Sequence, residues 1–500
     1  MKHASFATAG IPLRSLLANE LRSDCPAELR VTSCTNDWHQ VQPGDVFVAV
    51  TAEKDDGHDH AEAAAKRGAA AIICERPLPV FSIPQCVVDD SRAAYGRLCQ
   101  ALVGDPSKHM KVIGVTGTHG KTTVARLLSA ILREASLTVG TLDTYGYWDG
   151  LEERPAINDT LTPPSLARSL AEMAAIGATH AVIELSSQDL ATQTFAGVSL
   201  DAACITHVGK HHLEWHGSVE NYHQAKRQIL KHLHEDAIAV LNADDPFSVK
   251  LLDELIRPVL TFGMKGASEI SAQVVEQFIN EQTFLLTAGD HSVGVRTEIV
   301  GDHHIYNCLA AATTALAYGI DLTTIARGLE TVTKLPGRME RVMCGQNFAV
   351  LVDSADSPEA LRNCLRAARK VTTGRVICVF GANADCDSAE SVAIGRVIGA
   401  MTDVAAITNG CPADLGSHRT CLEVRSGFAD IQKVRVILDR QEAIQWALTE
   451  AREGDSVVVA GMGERPHTPL GSEGILANDY ELVRTALLGD EVVAPLRIAA

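Results

Sequence analysis

The apolar residues of this 500-residue chain fall into short blocks divided by polar, glycine-bearing joints, and longer segments between them carry apolar positions three or four apart. The first pattern predicts buried strands and the second helices, in alternation. Val46-Phe47-Val48-Ala49-Val50 and Ala70-Ala71-Ile72-Ile73-Cys74 read as strands around an Ala-rich helix at 61–67. A helix over 91–102 then runs into Gly104-Asp105-Pro106-Ser107, a linker signal that puts a boundary near residue 108. Strands at 111–115, 180–185, 202–206 and 237–242 mark a second block, which ends at Pro336-Gly337. Strands at 349–352, 376–380, 404–408, 434–438 and 456–460 mark a third, Rossmann-like block. The fold class is therefore α/β with three domains, 1–108, 109–336 and 337–500, the central one built on a mostly parallel sheet that carries a phosphate loop. In such sheets ligands sit at the C-terminal ends of the strands.

Composition narrows the function. A net charge of −18 makes the surface a poor partner for nucleic acid, while local cationic pockets can still meet a small anion. Thirteen cysteines, an odd number without Cys-X-X-Cys spacing, fit free buried thiols in a reducing compartment better than a disulfide framework or a zinc ribbon. The first 24 residues have a polar break at Arg14, and no segment approaches the ~18 uninterrupted apolar residues of a membrane span. A cytoplasmic monomer with no membrane or nucleic-acid partner is expected.

Chemistry enters at Gly114-Val115-Thr116-Gly117-Thr118-His119-Gly120-Lys121-Thr122-Thr123, where a strand ends in a glycine turn and Lys-Thr-Thr opens a helix. Backbone N–H groups of such a turn close on an anion, and the helix N-terminus adds partial positive charge. Lys121 reaches the outer phosphates and Thr122 offers its hydroxyl to Mg²⁺. The alternative is a plain strand-turn-helix joint with a chance Gly-Lys. The coincidence of Gly117, Gly120, Lys121 and Thr122 after a strand favours an ATP site made of Gly117, Thr118, His119, Gly120, Lys121, Thr122 and Thr123. The loop is shorter than the general phosphate loop, which has glycine where Val115 stands.

This Thr-Gly-Thr-X-Gly-Lys-Thr variant resembles the loop of the Mur ligases and their folate-ligase relatives, and the resemblance to Mur ligases extends over nearly the whole chain. Asp56-Gly57-His58-Asp59-His60, Leu161-Thr162-Pro163 and Glu184-Leu185-Ser186-Ser187 carry it. So do His212-Leu213-Glu214-Trp215-His216-Gly217 with Tyr222 and Lys226, then Asn242-Ala243-Asp244-Asp245 and Leu335-Pro336-Gly337-Arg338-Met339-Glu340. The resemblance implies an ATP-dependent acid–amino-acid ligase of peptidoglycan precursor synthesis. Through an acyl phosphate it would extend a UDP-linked muramoyl dipeptide, UDP-N-acetylmuramoyl-L-alanyl-D-glutamate, by one free amino acid. The first domain is then for the uridine nucleotide, the central one for ATP and the third for the amino acid.

The resemblance also implies roles. Thr122 is the ligand to one Mg²⁺, and Glu184 and His212 are ligands to a second. Lys226 is a carbamylated lysine near the metal and, with Lys121 and His212, catalytic. Asn307 contacts adenine, Arg338 and Asp353 reach the nucleotide, and Thr162 and Ser186 face the muramoyl substrate. Taken singly, Glu184 reads equally as a capping carboxylate, His212 as a core histidine, and Lys226 as a surface lysine on a helix over 222–233. The run His207, His211, His212, His216 also admits a transition-metal site, imidazoles at helical spacing being good zinc ligands. A phosphate loop calls instead for a hard ion with oxygen ligands.

Several positions depart from the family. Asp37-Trp38-His39 replaces Asp-Ser-Arg, and Ser186-Ser187-Gln188-Asp189-Leu190 replaces Ser-Ser-His-X-Leu. Asn and Asp have become His207 and His211, and the family's Gln and Arg after the serine motif are Thr192 and Thr194. In the third domain Gly381-Ala382-Asn383-Ala384-Asp385-Cys386-Asp387 stands for a glycine-rich loop, and Gly461-Met462-Gly463-Glu464-Arg465 for Gly-Lys-Gly-His-Glu. Gly410-Cys411-Pro412-Ala413 replaces the Asp-Asn-Pro-Arg of diaminopimelate-adding members. Alanine cannot clamp a carboxylate as arginine does. The identity of the added amino acid stays open, as do a Mur-like ligase for another acid and an ATP-binding pseudo-ligase.

Overall fold

The computed structural model describes residues 10–489 apart from 19, 23–24, 53–54, 156–160, 384–385, 411–416, 466–467 and 471–474. The chain divides into two compact units, Met1–Glu269 with Ala310–Gly328, and Ile270–Leu309 with Leu329–Ala500.

Among its described residues the first unit holds a two-stranded ribbon, Ile11–Pro12 with Arg30–Val31, and two larger sheets. The smaller has four parallel strands in chain order, Cys34–Thr35, Val46–Val48, Ala71–Cys74 and Gln85–Val87, all of whose residues but Gln85 are buried. Burial on both sides is what a parallel sheet requires. Helix Ser91–Leu102, capped by the Asp90 carboxylate, packs Ala94, Tyr95, Leu98 and Leu102 against one side. Helix Ala61–Lys66 packs Ala61 and Ala64 against the other with Phe47 and Ile72.

Within this unit the strands of the larger sheet run Glu153–Pro155, Gly146–Trp148, Val139–Asp143, His180–Leu185, Lys111–Thr116, Leu200–Ile205, Leu233–Asn242, Val259–Gly263. Gly146–Trp148 pairs antiparallel with both of its neighbours and the other pairings are parallel, so the expected mostly parallel sheet is present with more strands than the apolar blocks marked. Val139–Asp143 escapes the pattern because Gly140 and Thr141 interrupt its apolar run, yet both are buried; a Cβ at Gly140 would lie 2.3 Å from the Met173 sulfur. The helix expected over 222–233 is instead Val219–Arg227, a 3₁₀ stretch Gln228–His232, and then the strand from Leu233. Ile229 and Leu230 continue the apolar spacing, but they fill the core from the tighter turn.

The second unit contains an antiparallel meander, Ile270–Gln277, Gln282–Ala288 and His291–Thr297. It also contains a six-stranded sheet in the order Glu340–Arg341, Ala349–Asp353, Ser456–Ala460, Val376–Ala382, Val404–Asn409, Val434–Val436, parallel except for its first strand. Inside it Asp479 takes two bonds of 2.6 Å from Arg440 and one of 2.9 Å from the Gly463 N–H, fixing the 461–465 turn to helix Asp479–Leu488. Among the described residues no helix is long and apolar enough to cross a membrane.

Candidate active site

Strand Lys111–Thr116 lies between His180–Leu185 and Leu200–Ile205, with Thr116 opposite both Leu185 and Ile205. All three strands therefore release their chains at one edge. Gly117, at φ +153°, passes so close to the neighbouring exit that a Cβ there would sit 2.0 Å from Thr206 Oγ1. Gly120, at φ +85°, turns the chain into helix Lys121–Glu134, where Thr122 and Thr123 are buried in the first turn. The loop is tied down on its far side: the Thr118 N–H donates to the His207 carbonyl at 2.6 Å, and Thr206 Oγ1 donates to the His119 carbonyl at 2.6 Å. Thr118 Oγ1 bonds Tyr222 Oη at 2.8 Å and accepts from the Gly209 N–H at 2.9 Å.

Glu184 meets the start of this helix. Its Oε2 accepts from Thr122 Oγ1 at 2.8 Å, while Lys121 Nζ stands 3.8 Å from Oε1 and donates to the Thr118 carbonyl at 3.2 Å. Thr144 completes the grip with its N–H at 3.2 Å and its hydroxyl at 3.0 Å from Oε2. The motif pattern does not reveal Thr144. Its signal is that Val139–Asp143 pairs with His180–Leu185, Leu142 opposite Ile183, which brings Asp143 level with Glu184 and Thr144, the first residue after the strand, within reach of it.

Lys226 comes from helix Val219–Arg227 and is 1% exposed, which removes the surface-lysine reading. Its Nζ donates to Thr116 Oγ1 at 3.2 Å and lies 5.6 Å from the Tyr222 ring centre. Burial pushes its pKa well below the ordinary lysine value and the Lys121 charge pushes it further, against Glu184 and Asp189. A buried amine whose hydrogen-bond partner among the described residues is a neutral hydroxyl fits a group that reacts neutral or is converted to an anion. A hard cation fits the donors nearby, a carboxylate and a threonine hydroxyl.

His212 caps the one-turn helix Leu213–His216 from a left-handed conformation at φ +52°. Burial, the adjacent His211 and the Lys121 charge lower its pKa to about 4, against Glu214, so it is neutral and able to ligate at pH 7. The four histidines do not share a helical face: His207 Nδ1 pairs with Asp245 at 2.8 Å, and His216 Nε2 bonds Ser187 Oγ at 2.9 Å. Among the described residues no three His, Cys, Asp or Glu side chains converge as a metal site. Ser186 and Thr162 are both helix N-caps, Ser186 accepting from the Asp189 N–H at 3.0 Å and Thr162 bonding Ser165.

The remaining expected residues belong to the second unit. Asn307 is half-buried on helix Asp302–Ala317. Asp353, at the end of its strand, accepts from the Met339 N–H at 2.8 Å and the Ala355 N–H at 2.9 Å; burial raises its pKa against the Arg338 charge. Arg338 reaches both Glu464 carboxylate oxygens at 3.5 Å and helps line a cavity of about 390 Å³ with Lys334, Arg341 and Glu340. Ala384, Asp385, Cys411, Pro412 and Ala413 lie outside the described residues.

A glycine turn on a parallel-sheet edge with a carboxylate, a hydroxyl and two lysines beside it has the parts of a phosphoryl-transfer site. Residues 30–99 match the family described as Mur ligase family, catalytic domain, residues 115–315 the Mur ligase middle domain, and residues 337–463 the Mur ligase, glutamate ligase domain. A curated relative from Geobacillus thermodenitrificans, UDP-N-acetylmuramoyl-L-alanyl-D-glutamate–2,6-diaminopimelate ligase, is 34% identical over 458 residues, 90% of this chain and 94% of its own. A solved structure of a ligase with that name has a TM-score of 0.68 at 24% identity over 96% of this chain and 99% of that one. MurF ligase from Thermotoga maritima, in complex with ADP, has a TM-score of 0.62 at 22% identity over 91% and 96%. The chain belongs to the Mur ligase family of ATP-dependent acid–amino-acid ligases.

Proposed function

We propose that the chain joins a free amino acid to UDP-N-acetylmuramoyl-L-alanyl-D-glutamate at the cost of ATP, as its curated relatives are named for doing with 2,6-diaminopimelate. The observation that carries this reading is the meeting of Lys121, Thr122, Glu184 and the buried Lys226 at one sheet edge. Amide formation from a carboxylate needs activation. The substrate carboxylate oxygen attacks the γ-phosphorus and releases ADP; the amine then attacks the acyl carbon and phosphate leaves.

Gly117, Thr118, His119, Gly120, Lys121, Thr122 and Thr123 cradle the phosphates, with Lys121 on the group in transfer. Thr122, Glu184 and His212 would hold Mg²⁺, which when bound screens the two anions that must meet. Lys226 is suited to add CO₂: its neutral nitrogen bonds the carbon, a proton departs, and a cation becomes a carboxylate. Asn307, Arg338 and Asp353 serve the nucleotide, and Thr162 and Ser186 the muramoyl dipeptide. The scattered thiols favour a reducing compartment such as the cytoplasm, and the chain acts there as a monomer.

The test is ADP release by purified protein with the muramoyl dipeptide and an amino-acid mixture, each omitted in turn, and the product read by mass. Turnover needing both substrates is expected. ATP hydrolysis indifferent to both would overturn the reading.

A further inference from the structure

The small N-terminal sheet holds a pair of thiols that ligase chemistry does not use. Cys25 and Cys86 are 2% and 0% exposed, and their Sγ atoms lie 2.7 Å apart, within about 0.7 Å of a disulfide bond length. The same core offers a comparison: Cys34 and Cys99 face each other at 3.9 Å, an ordinary contact. The backbone explains the close pair. Leu21 bridges Val88, and the Arg22 N–H donates to the Val87 carbonyl at 2.8 Å, so Leu21 and Arg22, a few residues before Cys25, lie against the end of strand Gln85–Val87 that carries Cys86. Both thiols point into the core formed with Leu13, Leu17 and Val31, whereas Cys74 on the next strand faces the opposite core.

We propose that Cys25 and Cys86 are a redox modification site, closing into a reversible disulfide in the presence of a small-molecule disulfide oxidant. One protein thiolate attacks the oxidant R–S–S–R, forming a mixed disulfide and expelling RS⁻. The second thiolate attacks the protein sulfur of that bond and expels the other RS⁻. The two protein thiols are oxidised by two electrons, the oxidant is reduced, and the two thiol protons end on two RSH. Burial pushes the Cys86 thiol up and both thiols are shielded from solvent, so the exchange is slow and waits on local opening around the pair. The bond joins residues 61 apart and so removes freedom from the unfolded chain.

The full-length protein is incubated with oxidised glutathione, its remaining thiols are alkylated in denaturant, and it is digested without reductant. The expected result is the Cys25 peptide joined to the Cys86 peptide, about 2 Da lighter than their sum, reversed by dithiothreitol, with Cys34, Cys74 and Cys99 alkylated. Oxidation should also raise the thermal midpoint of the wild type by at least about 5 °C and leave Cys25→Ala and Cys86→Ala unmoved. Recovery of Cys25 and Cys86 as separately alkylated peptides, or joined indiscriminately to other cysteines, overturns the proposal. If the variants do not fold, the wild-type peptide map decides alone.

Discussion

Thr144 holds Glu184 through both its backbone N–H, at 3.2 Å, and its hydroxyl, at 3.0 Å, and both bonds fall on Oε2. With Thr122 Oγ1 on the same oxygen, the carboxylate plane is set and Oε1 is left towards Lys121. Thr144→Val keeps the shape and the N–H and removes one donor to a charged group. Thr144 is exposed, so the fold should tolerate the change. We expect kcat/KM for ATP to fall about tenfold to a hundredfold, with the thermal midpoint near that of the wild type. Unchanged kinetics would detach Thr144 from the site.

Lys226 provides a sharper test, because its proposed role lies in a carboxylate that its amine becomes. Lys226→Ala should be inactive yet partly restored by small carboxylic acids, and the wild type should weaken when CO₂ is rigorously excluded. Arginine at this position, which keeps a cation but cannot add CO₂, should fail as completely as alanine. Full activity in CO₂-free buffer, or an Arg variant close to wild type, would leave Lys226 a structural ammonium.

The loop and Glu184 were legible because their signals are local: glycines, Lys121 and Thr122 follow one strand at fixed spacing, and Glu184 is the next-to-last residue of another. Thr144 was not, since its role arises only when two strands 40 residues apart pair. The meander was hidden for a related reason. Gln282 is fully buried, a polar residue where the pattern asks for an apolar one, and it is satisfied by the Ile299 carbonyl and the Gly301 N–H. Such partners cannot be read from neighbouring residues.

Acid should weaken the fold through its buried histidines. Burial lowers the pKa of His232 and His303 to about 4 and of His304 to about 3; Val198 and Asp302 oppose this at His232 and His303, while His303 reinforces it at His304. The unfolded chain titrates near 6.5, so between that pH and the folded values it binds protons the folded state refuses. Stability therefore falls as pH drops below 6.5 and is unaffected by these groups above it. Asp143, Asp189 and Asp353, raised by burial, act in the opposite sense. His304 bonds Thr297 Oγ1 at 3.1 Å, a contact His304→Gln can keep. Between pH 7.5 and 5.0, denaturant unfolding of wild type should lose about 2 kcal/mol more than that of the variant. Parallel losses would show that His304 protonates in the folded state.

The amino acid added should not be meso-diaminopimelate held in the family's usual way. The resemblance places the arginine that clamps its distal carboxylate at Ala413, with Gly410 and Cys411 for its polar neighbours. Losing one buried charge-assisted pair costs ~2 kcal/mol, roughly a thirtyfold preference. A replacement clamp would have to come from Arg419 or Arg425 on helix Ser417–Ser426, and Arg419 is already paired with Glu423 at 2.8 Å in an exposed ion pair. Recreating a planar two-point contact from such a displaced arginine is the harder route, so a smaller or neutral amino acid is expected. The measurement is an amino-acid panel scored by the mass of the nucleotide product, repeated with Arg419→Ala and Arg425→Ala. A clear preference for meso-diaminopimelate, undisturbed by either variant, would mean that the carboxylate is held without an arginine from this helix and that the replacement at Ala413 does not set the specificity.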